Sequence, residues 1–411
     1  MVIDTTIKKG YKQTDLGVIP EDWKIGKLGD FVKITSGESP SKFIFKTSGI
    51  PYYKVEQLNN SEKYQKETPY YIESNNTIPK GSIIFPKRGA SVLLNKVRIL
   101  IEDSYMDTNL MTLTLSGGLY SEFVYYMLTH IELWRIADTT SIPQINNKHI
   151  NPILITFPPS EEQIAIATVL SDTDTLIEHL EKLIAKKKAI KQGTMQQLLT
   201  GKKRLPGFSG EWKVKKLGEI GETYGGLSGK KKSDFDGGKY PYIPFMNIMS
   251  NPVIDLQYFD YVNIRGDEKQ NKAIKGDLFF NGSSETPEEV GMCSVLQGNI
   301  PNLYLNSFCF GFRLNKDLKT DGIYLSYFFR SPMGRQLIFS LAQGATRYNL
   351  SKTNFMKLEI PYPDPAEQTA IANVLIDMDA EIEKLESQLA KYQNIKQGMM
   401  QQLLTGKMRL L

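Results

Sequence analysis

The chain has 411 residues, of which 41% are hydrophobic and 23% charged, and its formal net charge is +5. This length suits two to four domains, each with a core of its own. No stretch approaches the roughly 18 apolar residues of a membrane-spanning helix, and the N-terminus has no apolar signal region, so we expect a cytoplasmic protein. Cys293 and Cys309 have no His or Cys partners at zinc-like spacing, and we expect both in the core.

The first block, residues 1–160, alternates short β runs with Gly, Pro and Asn. Its predicted strands are Gly81–Phe85, Val97–Ile101 and Asn109–Leu115, and a helix is predicted over Ser121–Ala137. A long helix follows over residues 161–205. Residues 206–365 then repeat the first pattern, with strands Gly276–Phe280, Met292–Leu296 and Phe308–Leu314 and a helix over Gly322–Leu341 that Ser331-Pro332 interrupts. A second long helix is predicted over residues 366–411.

The two long helices are copies of one sequence. Residues 162–205 and 367–410 align without a gap at a constant offset of about 205 residues, and roughly two-thirds of the positions are identical. In each copy apolar residues recur at alternating spacings of about four and three, as in a helix that packs along its length against another helix. The predicted contact positions are Ile166, Leu170, Thr173, Ile177, Leu180, Ile184, Lys187, Ile190, Thr194 and Leu198, and Ile371, Leu375, Met378, Ile382, Leu385, Leu389, Tyr392, Ile395, Met399 and Leu403.

Residues at the helix ends agree with this reading. Ser160 and Gln163 have the spacing of a capping box, and Asp364 can cap the second helix with Pro365 at its first position. Gly201 and Gly406 are suited to end the helices. Each helix would be about 60 Å long at about 1.5 Å per residue.

Neither apolar stripe is expected to stay exposed, so we predict that the two helices pack on each other in antiparallel orientation. The fold class is then α+β: two similar globular domains of mixed β-structure with helices, joined by two long antiparallel coiled-coil helices in a pseudo-two-fold arrangement. The alternative is that each helix packs on its own domain. Shorter matches, such as Trp23 with Trp212 and Gly81 with Gly276, indicate that the two globular domains share a fold.

Several identical polar residues of the two helices suggest a surface for a partner. Packing on two divergent domains would not require identical polar side chains, whereas two copies of one partner would. Gly193 and Gly398 each cost about 1 kcal/mol inside a helix and would permit close approach. The candidate partner-binding residues are Lys191, Gln192, Gln196, Gln197, Lys396, Gln397, Gln401 and Gln402.

The domain order and three motifs resemble the specificity subunit of type I DNA restriction–modification systems. The motifs are the helix signatures EEQxAIAxVLSxxD and IKQGxMQQLLTGKxRLPGF, the domain openings at residues 17–23 and 205–208, and the second domain's closing segment at residues 344–351. The resemblance covers essentially the whole chain. It implies a non-catalytic protein in which each globular domain is a target recognition domain that reads one half of a split, asymmetric DNA sequence, and in which the helices set the gap.

The resemblance also implies partners and cofactors. Two copies of a methyltransferase subunit, which hold S-adenosylmethionine and methylate adenine at N6, would dock on the helices. Two copies of a restriction (motor-nuclease) subunit, which uses ATP and Mg²⁺, would join where restriction occurs. No cofactor is expected in this chain itself.

If the domains bind DNA, each must supply cations for phosphates and polar groups for base edges. The loops richest in such residues are 35–42, 86–89 and 139–146 in the first domain, and 224–232, 281–284 and 347–349 with Lys352 in the second. The candidate DNA-binding residues, each of which could instead be a solvated turn residue, are Ser36, Lys42, Lys87, Arg88, Gln144, Asn146, Lys230, Lys231, Asn281, Arg347, Tyr348 and Lys352.

Two other classes of protein have to be weighed. An enzyme that fuses methyltransferase, nuclease and specificity domains is disfavoured because the cofactor and catalytic motifs are missing. The glycines of residues 225–232 are one residue short of a P-loop, and His130, His149 and His179 lie in unrelated contexts and form no metal set. A two-armed coiled-coil adaptor that binds proteins without DNA specificity is the remaining alternative.

Overall fold

The computed structural model describes residues 7–59, 63–344 and 346–410. Residues 1–6, 60–62, 345 and 411 lie outside this description, and Ala345 of the second domain's closing segment is among them. Contacts divide the chain into two units. Unit 1 comprises residues 1–181 and 387–411, and unit 2 comprises residues 182–386.

Unit 1 contains twelve strands among the residues that the structure describes. They are β1 Tyr11–Thr14, β2 Gly17–Pro20, β3 Lys24–Lys27, β4 Val32–Ser36, β5 Ile50–Tyr53, β6 Tyr64–Gln65, β7 Tyr71–Ile72, β8 Ile83–Pro86, β9 Arg98–Leu100, β10 Tyr105–Met106, β11 Leu110–Leu115 and β12 Leu154–Phe157. Its main sheet has the order β4-β11-β8-β9-β6, a second sheet has the order β10-β5-β7, and β12 pairs with β3.

Unit 2 repeats this strand order. Its described strands are β13 Lys213–Lys216, β14 Gly221–Gly225, β15 Tyr240–Ile243, β16 Asp260–Val262, β17 Leu278–Asn281, β18 Ser283–Ser284, β19 Cys293–Val295, β20 Tyr304–Leu305, β21 Cys309–Leu314, β22 Ala342–Gln343, β23 Tyr348–Leu350 and β24 Glu359–Tyr362. The sheets β14-β21-β17-β19, β20-β15-β16 and β24-β13 match β4-β11-β8-β9, β10-β5-β7 and β12-β3. The prediction that the two domains share a fold is therefore confirmed.

The described residues form nine α-helices. They are α1 Ser121–Ile131, α2 Asn147–Ile150, α3 Ser160–Leu198, α4 Leu217–Ile220, α5 Phe245–Ser250, α6 Gly322–Arg330, α7 Pro332–Phe339, α8 Lys352–Met356 and α9 Pro365–Leu403. The two long copies are α3 and α9. The predicted interruption at Ser331-Pro332 is confirmed, because the Ser331 hydroxyl caps α7 and Pro332 is its first residue. In contrast, α1 ends six residues early, where Glu132 adopts a left-handed conformation.

The segments of α3 and α9 that share a unit pack antiparallel. In unit 2, Lys187 pairs with Glu381 at 2.6 Å and Lys191, further along α3, pairs with Asp379, which lies earlier in α9. In unit 1, Lys396 pairs with Asp174 at 2.5 Å, the equivalent of the Lys191–Asp379 pair at the offset of about 205. The alternative in which each helix packs only on its own domain is wrong.

Most of the predicted contact positions of the two long helices are buried or half-buried. The exceptions are two isoleucines at the same position of the two copies. Ile190 and Ile395 are 46% and 40% exposed, so they do not lie in the seam as predicted. Buried residues late in α9, Met400 and Leu403, belong to the same apolar cluster as Ile166 and the first domain's core. Each unit therefore has a core to which both long helices contribute.

The helix ends follow the prediction in part. Asp364 accepts a hydrogen bond from the Ala366 N–H at 2.9 Å and caps α9 as predicted. The Gln163 side chain does not complete a capping box. It accepts from the Tyr120 N–H at 2.9 Å and donates to the Pro158 carbonyl at 3.0 Å, so it joins α3 to the first domain. No helix in the described ranges is long and apolar enough to cross a membrane.

Candidate nucleic-acid interface

Three predicted loops of the first domain meet at one end of its main sheet. Strands β4 and β8 both pair antiparallel with β11 and therefore run parallel to each other. The segments that follow them contact the same turn, because the Gly37 N–H bonds to the Leu110 carbonyl and the Lys87 N–H to the Asn109 carbonyl. Residues 87–89 pair in turn with residues 143–145, through the Ile145 N–H to the Lys87 carbonyl at 2.8 Å. We name this surface, Ser36, Lys87–Gly89 and residues 143–146, the first edge.

The cations of the first edge differ in how far they are exposed to solvent, and its amides are held by a hydrogen bond. Arg88 and Ser36 are exposed and Lys87 is half-buried, and burial lowers the pKa of the Lys87 ammonium. The Gln144 side chain donates to Asn146 Oδ1 at 3.1 Å, which orients both amides. The surface therefore offers cations for phosphates and ordered amides for base edges.

Lys42 lies in the loop that leaves the first edge, and its charge is partly neutralised. Its ammonium pairs with Glu38 at 3.1 Å, and both side chains are exposed. The hydrogen bonds from Lys42 and Tyr105 lower the pKa of the Glu38 carboxyl. A phosphate contact by Lys42 would therefore have to replace an existing ion pair.

The second domain has the equivalent surface. The Leu350 N–H bonds to the Gly282 carbonyl at 2.9 Å, and β18 pairs with β23 through Ser283 with Asn349 and Ser284 with Tyr348. Predicted residues Arg347 and Lys352 are exposed here, and Tyr348 is half-buried. We name this surface, residues 282–284, Phe308, 347–350 and Lys352, the second edge. Lys231 lies outside it and is exposed.

Two predicted DNA-binding residues of the second domain have structural roles instead. The Lys230 side chain is 3% exposed and its ammonium pairs with Glu268 and with the Asn263 carbonyl. Asn281 is fully buried, and its amide donates to the Ser283 and Glu289 carbonyls while its oxygen accepts from the Met292 N–H at 2.6 Å. Because these polar atoms are satisfied internally, the structure does not present either side chain to a ligand, and the assignment of both to DNA contact is wrong.

A close backbone approach shapes both edges in the same way. A Cβ atom on Gly37 would lie 1.9 Å from the Asp107 carbonyl oxygen, and one on Gly226 would lie 2.0 Å from the Asn306 carbonyl oxygen. Either distance is far below van der Waals contact, so only glycine fits. The loops that follow β4 and β14 are thus held against the equivalent turn in each domain.

Sequence reasoning missed Phe308. The run Phe308–Leu314 was predicted as one strand, but β21 begins at Cys309 and Phe308 precedes it, 56% exposed. It alternates with Phe310 and Phe312, which are both buried, a spacing typical of side chains on one face of a strand. No signal in the sequence distinguishes it from these core residues.

The helices join each domain through a duplicated cluster. In unit 1, Glu162 is 1% exposed and accepts hydrogen bonds from Arg409, at 2.6 and 3.0 Å, and from the Trp23 indole at 3.3 Å. Arg409 also pairs with Asp22 at 2.7 Å, and these two carboxylates raise the pKa of the Arg409 guanidinium.

In unit 2 the same roles belong to Glu367, Arg204 and Trp212. Glu367 is 1% exposed, Arg204 donates two bonds of 2.6 Å to it, and the Trp212 indole donates one of 2.9 Å. The duplicated sequence therefore builds the same contact between helix and domain twice.

The predicted partner-binding residues divide into two groups. Lys191 and Lys396 pair with Asp379 and Asp174 inside their own units, so their identity has an intramolecular reason and they are not free for a partner. The glutamines face outward: five are exposed and one, Gln402, is half-buried, the set being Gln192, Gln196, Gln197, Gln397, Gln401 and Gln402. Among the described residues there is no group of three or more His, Cys, Asp or Glu side chains placed to hold a metal ion.

Comparisons with known proteins agree on one family. The family model described as "Type I restriction modification DNA specificity domain" matches residues 20–192 and 209–392. Two proteins of Methanocaldococcus jannaschii are each 26% identical to this chain. They are a putative type I restriction enzyme MjaX specificity subunit, over 98% of this chain and 97% of that protein, and the MjaVIII specificity subunit, over 95% and 94%.

Solved structures show the same fold. The S subunit of a type I restriction-modification system from M. genitalium superposes with a TM-score of 0.56 at 17% identity, over 93% of this chain and 96% of that one. A chain from a study of complex assembly and conformational transition of the type I R-M system superposes with a TM-score of 0.58 at 16% identity, over 95% and 99%. Because its family model covers both halves, this chain belongs to the type I restriction–modification DNA specificity family.

Proposed function

We propose that this chain is the subunit that selects the DNA target, and that each edge reads one half of a bipartite, asymmetric sequence. The single observation that carries this is the repetition of one sheet and one edge in two units whose exposed side chains differ. Equal folds place the two edges in equivalent surroundings, and unequal side chains select different bases. The chain supplies specificity, and the chemistry belongs to its partners.

The two long helices are proposed to set the gap between the half-sequences. Support comes from the antiparallel contacts that α3 and α9 make within each unit, with the pair Lys191–Asp379 repeated as Lys396–Asp174. Helices that contact each other along their length resist bending more than single helices. A spacer of this kind would restrict which gaps are accepted.

The outward-facing glutamines are proposed to dock two methyltransferase subunits, one on each copy. Gly193 and Gly398 support this, because both are exposed in the C-terminal part of a long helix and an added Cβ would meet no described atom within 4 Å beyond the helix's own adjacent backbone. No contact among the described residues requires glycine there, although glycine costs about 1 kcal/mol relative to alanine inside a helix. Ile190 and Ile395, one turn away, add exposed apolar surface to both copies.

The cofactors follow from these partners. S-adenosylmethionine would be held by the methyltransferase for adenine N6 methylation, and ATP with Mg²⁺ by a restriction subunit, two copies of which would join the assembly where DNA is cut. The described residues supply no cluster for a metal ion.

Exchanging the second domain tests the proposal. The full chain and a chimera that carries a relative's residues in place of 206–365 are each co-expressed with the methyltransferase and used to select from a randomised duplex pool. We expect the chimera to change one half of the selected sequence and to leave the other half and the gap unchanged. A change in both halves contradicts modular reading. The absence of any salt-dependent DNA affinity supports the adaptor alternative.

A further inference from the structure

Phe308 is an exposed aromatic side chain on a rigidly held backbone. Its N–H donates to Asn306 Oδ1 at 2.8 Å, and its carbonyl accepts from the Gly282 N–H at 2.8 Å. These bonds fix the residue between the turn before β21 and the segment after β17. The ring is nevertheless 56% exposed, so apolar surface is presented to solvent from a fixed position at the second edge.

Arg347 lies over this ring. The centre of its guanidinium is 5.5 Å from the Phe308 ring centroid, a distance at which the cation is attracted to the aromatic face. The Arg347 side chain is exposed and makes no ion pair or side-chain hydrogen bond with any residue that the structure describes. Arg265 of the same unit differs, because Glu268 accepts from it at 2.9 Å. The ring thus orients a guanidinium whose N–H donors remain available.

Lys352, the other exposed cation of the second edge, has different surroundings from Arg347. The Lys352 ammonium lies 6.0 Å from the Phe310 ring centroid, beside Gly225, on the other side of β23 in the sequence. The aromatic ring beside Lys352 belongs to Phe310 and is buried, whereas the ring beside Arg347 is exposed. Lys352 therefore offers a charge but no exposed ring next to it. An exposed phenylalanine gains nothing from contact with a phosphate, but it gains from contact with base edges and the thymine methyl group.

We propose that Arg347 selects a guanine in the half-sequence read by the second edge, with Phe308 as the residue that positions its guanidinium. The inference rests on the proposed function and deepens it to one base. Arginine donates two parallel hydrogen bonds to O6 and N7 of guanine in the major groove, and a guanidinium that already lies over an aromatic ring loses less freedom in forming them. The first edge is expected to read differently, since Asn109 precedes β11 and Ile142 occupies the position that matches Arg347.

Four single variants of the full chain, each co-expressed with the methyltransferase, test this by selection from a randomised duplex pool. Arg347→Ala is expected to relax one guanine position of the second half and to weaken binding to the original target by about 10- to 100-fold. Phe308→Leu is expected to relax the same position to a smaller extent. Lys352→Gln should weaken all sequences alike and lower the salt slope by about 1. Arg265→Ala, the matched control, should leave the selected sequence and the affinity unchanged.

A modified base gives a second readout that does not depend on the selection. Replacing each guanine of the second half in turn by 7-deazaguanine, which lacks N7, should weaken wild-type binding at one position, and that loss should disappear in Arg347→Ala. Unchanged selectivity of the first half reports that the variants are folded. Uniform weakening by Arg347→Ala with the sequence preference intact would show a phosphate contact and overturn the inference. If the wild-type chain selects no sequence at all, the proposed function fails as well.

Discussion

Removing Arg409 should destabilise unit 1 selectively. The guanidinium supplies two of the three hydrogen bonds that Glu162 receives, and Glu162 is 1% exposed. In Arg409→Ala the carboxylate stays buried with only the Trp23 indole as a donor. Removing one partner of a buried ion pair lowers the free energy of unfolding, because the remaining charge stays buried without compensation.

The expected magnitude follows from burial and size. Breaking a buried pair costs about 3–5 kcal/mol, and the lower end applies because the Arg409 side chain is 29% exposed and water can reach the space that it leaves. Unit 1 has roughly 200 residues, so its entropy of unfolding is about 0.4 kcal/mol/K. A loss of about 3 kcal/mol then lowers the melting temperature of unit 1 by about 7 °C.

Differential scanning calorimetry of the full chain measures this directly. Arg409→Ala should lower one transition, and Arg204→Ala, the equivalent change beside Glu367, should lower the other. Glu162→Gln combined with Arg409→Ala should recover part of the loss, because no charge is then left buried. Lys407→Ala, at an exposed position two residues away, is the control and should have no effect. If Arg409→Ala shifts no transition by more than about 2 °C, the cluster does not hold the unit together.

Three further changes test the edges and the spacer. Lys87→Gln should leave the melting temperature unchanged or raise it slightly, because a half-buried cation is removed. The salt slope of DNA binding should fall by about 0.9, and an unchanged slope would mean that Lys87 contacts no phosphate. Gly37→Ala should weaken recognition of the first half-sequence only, because its Cβ would lie 1.9 Å from the Asp107 carbonyl oxygen; selection with normal preference for both halves would argue against this. Deleting residues 182–185 together with the equivalent residues 387–390 shortens each long helix by about 6 Å. Methylome sequencing should then show a gap between the half-sequences that is about one or two base pairs shorter, and an unchanged gap would refute the spacer role.

Much of the fold could be predicted because its larger elements carry strong local signals. The strands β8 and β17 are apolar runs, and β11 and β21 alternate apolar with other residues. The observed starts of all four differ from the predicted ones by one or two residues. The long helices were identified from their periodicity and duplication. Two-residue strands such as β6, β7 and β10 are too short for any period, and their pairing depends on contacts distant in sequence.

The sites were predicted less completely, because exposure depends on those distant contacts. The structure brings the predicted loops 86–89 and 139–146 together in the first domain and 281–284 and 347–349 together in the second, although the sequence itself did not predict that these loops meet. The burial of Lys230 was not foreseen, since its partner Glu268 lies 38 residues away, and the pairing of Lys191 involves a carboxylate 188 residues away. A cation in a loop and a cation in an internal pair have the same sequence signature until the partner's position is known.

The composition of unit 1 bears on how the chain folds as it is synthesised. Its core needs Met400 and Leu403, and Glu162 needs Arg409, yet roughly 200 residues are translated between the two segments of the unit. At about 5–20 residues per second, the nascent domain waits about 10–40 s with an apolar helix face and a buried carboxylate unpaired. The domain that leaves the ribosome first is thus the last to complete its core. In ribosome-bound chains arrested before residue 387, a protease should therefore cleave this domain, whereas in the released protein the same domain should resist cleavage.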